Sequence, residues 1–483
     1  MNGAPLSSFP SVAELSGALA DGRCSSVELV QTCIERSARL DGYFNSVRCL
    51  ADDALLQAQA SDDRRRAGRA RGPLEGIPVL VKDNIDVAGM ATTAGTLALE
   101  GSRPSSDAHL VARLRHAGAV ILGKANLSEL ANFLTEDMPS GYSSLGGQVL
   151  NPYDVALTPS GSSSGSATAV ALGLVPLAIG TETDGSITSP AAHQSLVGFK
   201  PTLGLVSRSG IAPIAPSQDT AGPMTATVGD AVALLAAVAG FDPYDPATAG
   251  AEDTAARLRA WASNGDGLQG SRLAVARGCR AGEDGDVRQA YEAALEALGA
   301  VAGGLVDRRF DPAEESDELF VLHYEFAPAF DRYLERVGDG ATVRSLRELR
   351  EWNLAHPDDT LKYGQCHLDV AVGMDHAGRR DEYEEVRTRD RAHAESQLQA
   401  ALDGCEAVVF PAEDGATWAA RAGWPSVALP AGYLARSRRP FAVTLVGRPW
   451  ADDRLLSLAA AVEAVLPARR SPWEINPAVF RHL

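Results

Sequence analysis

The feature that most constrains the fold is an apolar run at residues 167–180, Ala-Thr-Ala-Val-Ala-Leu-Gly-Leu-Val-Pro-Leu-Ala-Ile-Gly, in which Thr168 is the one polar side chain. It falls short of the ~20 residues that span a bilayer, and Pro176 interrupts it. Such a run belongs inside protein. Its small residues predict a helix over 167–174, and its last apolar residues a strand over 177–179. Two polar segments flank it: Thr158-Pro-Ser-Gly-Ser-Ser-Ser-Gly-Ser166 before, and Gly180-Thr-Glu-Thr-Asp-Gly-Ser-Ile187 after. If helix and strand pack back to back, both segments reach the same end of a sheet, where strand-to-loop junctions commonly carry function. A Gly/Ser-rich segment can also be a flexible linker, but a linker has no reason to abut a buried helix.

The rest of the chain alternates around this unit. Ser11-Val-Ala-Glu14 and Ser25-Ser-Val-Glu28 match capping boxes ahead of amphipathic runs. A third helix is expected over 51–69. Residues 76–82, Gly-Ile-Pro-Val-Leu-Val-Lys, read as a buried strand. A helix over 107–117, closed by Gly118, leads to a strand at 119–122. Residues 139–166 are loop by composition. Alternation continues to about 300, and 316–402 read as charged amphipathic helices. Strands return at 407–410, 426–430 and 442–446, with a final helix from about Asp452. No linker or internal repeat divides the chain. The expectation is one α/β domain over 1–483, its mixed sheet closed by the C-terminal segment and covered by helices on both faces. Within it, 1–70 are N-terminal helices, 71–300 the core, 300–405 a mostly helical region, and 406–483 closing strands and the last helix.

Composition excludes several partners. The net charge of −18 repels phosphate backbones and anionic lipids, so neither nucleic acid nor a membrane is expected to bind. The densest basic stretch, 62–71 with five arginines, reads as a solvated helix end. Six scattered cysteines without a Cys-x-x-Cys pair fit free thiols in a reducing compartment. The first residues lack a basic and then apolar leader pattern, so a cytoplasmic location is expected. The nine histidines form no metal-binding cluster, and no glycine-rich phosphate loop is present, so no cofactor or metal is expected.

Only four of the 44 basic residues are lysines: Lys82, Lys124, Lys200 and Lys362. A site that needs a neutral amine cannot use arginine, so each lysine is a candidate for such a role. Lys82 ends an apolar strand, where burial would depress its pKa and let it act as a base. It could equally pair with Asp83 or Asp86. Residues 161–165, Gly-Ser-Ser-Ser-Gly, also match the Gly-x-Ser-x-Gly elbow of α/β-hydrolases, with Ser163 as nucleophile. That elbow needs a strong strand before it, and here Pro152 and Pro159 precede it.

Several motifs in order resemble the amidase signature family. They are Lys82 in Gly-Ile-Pro-Val-Leu-Val-Lys-Asp-Asn, the 158–166 loop, the 180–187 segment, Val197-Gly-Phe-Lys-Pro-Thr202, Asp219-Thr-Ala-Gly-Pro223, Gly123-Lys-Ala-Asn-Leu-Ser-Glu129 and Val446-Gly-Arg-Pro449. The resemblance spans nearly the whole chain and is weakest over 245–400. It implies the amidase signature fold, a mixed twisted β-sheet surrounded by helices. It implies hydrolysis of a linear amide with Ser186 as nucleophile, Ser162 as bridging serine after a cis bond at Gly161–Ser162, and Lys82 as base. It further implies an oxyanion hole of the backbone N–H groups of Thr183, Asp184, Gly185 and Ser186, with Ser163 in support. Lys124 and Lys200 take structural roles. Met138 and Tyr142, in the 138–145 segment, are the expected acyl-pocket residues. The chain departs from the common Gly-Gly-Ser-Ile-Arg with Asp184-Gly-Ser-Ile-Thr188. That form resembles the branch of peptide amidases and aryl-acylamidases, which implies a small-molecule or peptide amide substrate. The alternatives are the glutaminase-type subunit of an amidotransferase and an esterase using Ser163. The assembly is left between a monomer and a homodimer.

Overall fold

The computed structural model describes residues 8–262, 267–279, 281, 284–310, 317–337 and 340–481. The first residues, read above for a leader, and Ser316, where the helical region was expected to begin, lie outside this set. Thirteen strands are described: β1 (Val47–Leu50), β2 (Pro78–Lys82), β3 (Val120–Ala125), β4 (Tyr142–Ser143), β5 (Gly147–Gln148), β6 (Leu177–Glu182), β7 (Val197–Lys200), β8 (Thr220–Thr225), β9 (Arg272–Arg277), β10 (Gly304–Arg309), β11 (Ala407–Pro411), β12 (Ser426–Tyr433) and β13 (Pro440–Val446). Eleven form one mixed sheet in the order β1-β3-β2-β6-β8-β7-β12-β13-β11-β9-β10, and β4-β5 is a separate hairpin. The parallel pairs are β3-β2, β2-β6, β11-β9 and β9-β10; the others are antiparallel. The C-terminal strands do not cap a rim. β12 and β13 sit in the interior, joining the β1–β8 half to the β9–β11 end.

The strand pattern sorts side chains between two cores. Successive residues of a strand point to opposite faces. Val79 and Val81 of β2, with Leu177 and Ile179 of β6, enter one hydrophobic cluster, which includes Leu235 and Leu456. Leu80 and Ala178 enter the other, with Ala167, Ala169 and Val170 of the helix Ser164–Ala171. Burial on both faces explains why these strands read as continuous apolar runs. The small side chains of the helix let it lie close against the sheet.

Both capping boxes form: Ser11 with Glu14, and Ser25 with Glu28. The 51–69 helix runs Ala54–Arg66. Its arginine cluster is not simply a solvated end. Arg64 donates to the buried carboxylate of Glu75 at 2.7 and 3.1 Å, and Arg65 to the Glu75 carbonyl at 2.6 Å. The helices Glu318–Leu334, Leu346–Ala355 and Cys366–Gly373 build a third cluster against 94–138. Among the described residues no helix is long and apolar enough to cross a membrane.

Candidate active site

The end of β6 and the loop before the helix Ser164–Ala171 converge on Lys82. As the last residue of β2, Lys82 alternates onto the face of Leu80, under the helix Ser164–Ala171, and none of it reaches solvent. Its Nζ donates to Ser162 Oγ at 2.7 Å, Thr181 Oγ1 at 2.9 Å and Thr181 O at 3.2 Å. Burial drives its pKa down to about 7, against the opposing charges of Glu182 and Asp219. Relative to water this disfavours the ammonium by roughly 5 kcal/mol, enough for a neutral amine to be populated near neutral pH. The ion pair with Asp83 or Asp86 is not formed. Asp83 holds Lys124 Nζ at 3.0 Å, and Asp86 accepts from Tyr333 Oη at 2.8 Å.

The two polar segments meet as the apolar run requires. The helix begins at Ser164, earlier than its composition indicated, and β6 continues through the polar pair Thr181 and Glu182. Ser163 Oγ donates to Thr181 O at 3.1 Å and accepts from Thr181 N–H at 3.2 Å. Ser166 Oγ donates to Ile179 O at 3.1 Å. Gly180 makes this approach feasible, since a Cβ there would lie 2.7 Å from Ser163 Oγ. The Gly161–Ser162 peptide bond is cis. The Ser163 N–H donates to Ser186 O at 3.2 Å, tying the two segments together. Among the described residues no histidine hydrogen-bonds to Ser162, Ser163 or Ser186, and the Ser163 hydroxyl is committed to β6. That leaves the Gly-x-Ser-x-Gly match without a base.

The turn after β6 is seated by carboxylates. Glu182 Oε2 accepts from Ile187 N–H at 2.7 Å, Thr188 N–H at 2.8 Å and Thr188 Oγ1 at 3.1 Å. Thr183 Oγ1 donates to Asp219 Oδ1 at 2.6 Å, and burial raises the Asp219 pKa to about 6. Thr417 Oγ1 lies 2.9 and 3.2 Å from the Asp184 carboxylate oxygens. The backbone N–H groups of Thr183, Asp184, Gly185 and Ser186 donate to no group among the described residues, so all four remain available as donors beside Ser186. Ser186 itself is only 8% exposed.

Other expected residues lie further out. Met138 is buried in the cluster with Phe326 and Phe330. Tyr142 packs edge-on against Tyr363, ring centres 5.0 Å apart, with Lys362 Nζ 5.1 Å from its ring. Lys200 is buried, its pKa lowered to about 8 by desolvation, and donates to Pro201 O. The residue-level reading missed Thr181, Glu182 and Asp219, although all three stand inside motifs that it quoted. It also missed Thr417, which no local pattern marks. Among the described residues no group of three or more His, Cys, Asp or Glu could hold a metal ion.

Comparison with known proteins identifies the family. The Amidase family matches residues 28–421. The crystal structure of a peptide amidase from Stenotrophomonas maltophilia is 41% identical, with a TM-score of 0.89 over 96% of this chain and 98% of that one. A probable amidase of Arabidopsis thaliana is 33% identical over 95% of this chain and 91% of its own length. One component of the glutamyl-tRNA(Gln) amidotransferase of Anaeromyxobacter sp. is 33% identical over 95% of this chain and 97% of its own length. The chain therefore belongs to the amidase family, the amidase signature hydrolases that act on amide C–N bonds.

Proposed function

We propose that the protein hydrolyses a small-molecule or peptide C-terminal amide through an acyl-enzyme on Ser186. The observation that carries this reading is a buried lysine held near neutrality and 2.7 Å from Ser162 Oγ. Neutral Lys82 takes the Ser162 proton as Ser162 takes the Ser186 proton, and Ser186 Oγ attacks the amide carbon. The oxyanion accepts hydrogen bonds from the free N–H groups of residues 183–186. Lys82 returns its proton through Ser162 to the leaving nitrogen, because an amide anion leaves very poorly. The C–N bond breaks, and water, deprotonated by the same relay, then cleaves the ester. Ser186 Oγ does not hydrogen-bond to Ser162 Oγ here. Such contacts are often long in free enzymes and tighten around substrate. Ser163 supports the relay by fixing the loop to β6, and Met138 and Tyr142 shape the acyl side of the cleft.

The peptide-amide class draws support from the 41% identity to a peptide amidase. A second reading, the glutaminase-type subunit of an amidotransferase, draws on the 33% identity to an amidotransferase component. The net charge of −18 weighs against a tRNA partner. Fluorophosphonate labelling followed by peptide mapping tests the mechanism. Label on Ser186 that is lost in Lys82→Ala upholds it; label on Ser163, or none, overturns it. Ammonia release from peptide amides by the isolated chain separates the two readings, since an amidotransferase component needs its partners and tRNA.

A further inference from the structure

We propose that the helix Glu318–Leu334 positions the oxyanion turn through the loop 215–219, with Glu325 as a positioning residue. This rests on the reading of Ser186 as nucleophile and of residues 183–186 as its oxyanion hole. The link to the turn follows from strand register. The antiparallel ladder of β6 and β8 ends at the pair Glu182–Thr220, so one step further along Asp219 faces Thr183, the first residue of the turn. Their side chains close that step, Thr183 Oγ1 donating to Asp219 Oδ1 at 2.6 Å. Gln218 holds the same residue by its backbone, its Nε2 reaching Thr183 O at 3.4 Å. The Thr183 carbonyl and the Asp184 N–H belong to one planar peptide, so whatever fixes the carbonyl also aims the N–H.

The loop is in turn held by the helix. Ser217 N–H donates to Glu325 Oε2 at 2.9 Å, and Gln218 Nε2 to Glu318 Oε1 at 2.6 Å. Glu318 and Glu325 stand seven residues apart on one helix, about two turns along the same face. They therefore meet two consecutive loop residues as a single rigid edge. The second oxygen of Glu325, Oε1, accepts from Tyr383 Oη at 2.7 Å. Tyr383 belongs to the helix Arg380–Ala401 and stacks on Tyr324, ring centres 4.1 Å apart. Glu325 is buried with both oxygens engaged, so its carboxylate is fixed. Within the loop, the N–H groups of Gln218 and Asp219 both donate to Ala215 O at 2.9 Å, which makes 215–219 a tight unit that moves as one piece. The helical region thus acts on the turn without touching the reacting atoms: Tyr383 on Glu325, Glu325 on Ser217, and Gln218 with Asp219 on Thr183. An oxyanion hole binds the transition state and not the ground state, so loss of this hold falls on kcat and not on KM.

The experiment is steady-state ammonia release from an N-acetylated dipeptide amide by the wild type and by variants at both ends of the link. Asp219 is left intact because its charge also acts on Lys82. Thr183→Val removes the hydroxyl at nearly constant shape and is expected to lower kcat about 10- to 100-fold at unchanged KM, less than the loss of a whole oxyanion donor. Thr183→Ser keeps the hydroxyl and should stay within about threefold of the wild type. Glu325→Leu removes both acceptors and is expected to lower kcat about three- to tenfold, again at unchanged KM. Glu325→Gln can accept from Ser217 and donate to Tyr383, so it should restore kcat to within about twofold. Because Glu325 acts through Thr183, the double variant Thr183→Val/Glu325→Leu should lose much less than the product of the two single losses. An unchanged kcat in Glu325→Leu, a rise in KM in place of the fall in kcat, or losses that multiply in the double variant overturns the proposal. If Glu325→Leu does not fold, Tyr383→Phe, which removes the donor to Oε1, takes its place in the same cycle. Fluorophosphonate separates the layers. Wild-type label on Ser186 with an unchanged rate in Glu325→Leu sinks only the positioning role, whereas no label on Ser186 sinks the reading beneath it.

Discussion

At the scale of single residues, the site depends on one amine being neutral. Protonation of Lys82, whose pKa is lowered to about 7 by burial, removes the base. Activity is therefore expected to fall roughly tenfold per pH unit below about 7, read as kcat/KM against pH. Lys82→Arg keeps a cation but cannot lose its proton, so its kcat should drop at least about a thousandfold, as in Lys82→Ala. Asp219 stabilises the charged form of Lys82. Removing that negative charge in Asp219→Asn lowers the Lys82 pKa further, so the acid limb should move to lower pH, by less than about one unit. Lys82 stood out in the sequence because a chain that uses arginine almost everywhere kept a lysine at the end of an apolar strand. Its partner Thr181 did not. A threonine beside a polar turn looks like solvent-facing strand end, and only the depth of the lysine makes its hydroxyl a buried acceptor.

Among elements, the helix Ser164–Ala171 carries the most consequence, because its first turn continues from Ser162 and Ser163. It rests on two loop carbonyls at Gly165, where a Cβ would overlap Asn126 O and Ser46 O. Gly165→Ala must push the helix start away from that floor. Overpacking of this kind costs about 1–3 kcal/mol, visible as a lower denaturant midpoint. Displacing the serines by about 1 Å should cost about a hundredfold in kcat. Helix and strand positions here were readable because short apolar runs between glycines and prolines leave few alternatives. Boundaries were less so. β6 runs on through Thr181 and Glu182, because the Glu182 carboxylate is satisfied by the N–H groups of Ile187 and Thr188. The short β4-β5 hairpin formed inside a stretch whose composition reads only as loop.

For the whole molecule, strand order matters more than strand content. β12 and β13 lie between β7 and β11, although almost 230 residues of chain separate β7 from β12. A chain ending at residue 405 lacks β11, β12 and β13. It would leave β7 with an unpaired edge and strip β9 of a neighbour, exposing apolar faces and unsatisfied ladder groups. It is expected to be recovered as aggregate, without the cooperative far-UV transition of the full chain. The sequence alone determined the α/β class, the buried β2 and β6 strands and the approach of the two polar segments to one end of the sheet. These follow from patterns within some thirty residues, where hydrophobic period and turn chemistry act directly. The order of the strands, the interior position of the C-terminal pair and the hold of Thr417 on Asp184 were decided only by the tertiary structure. Such contacts join residues more than a hundred positions apart, and a lone threonine carries no local signal of the partner it meets.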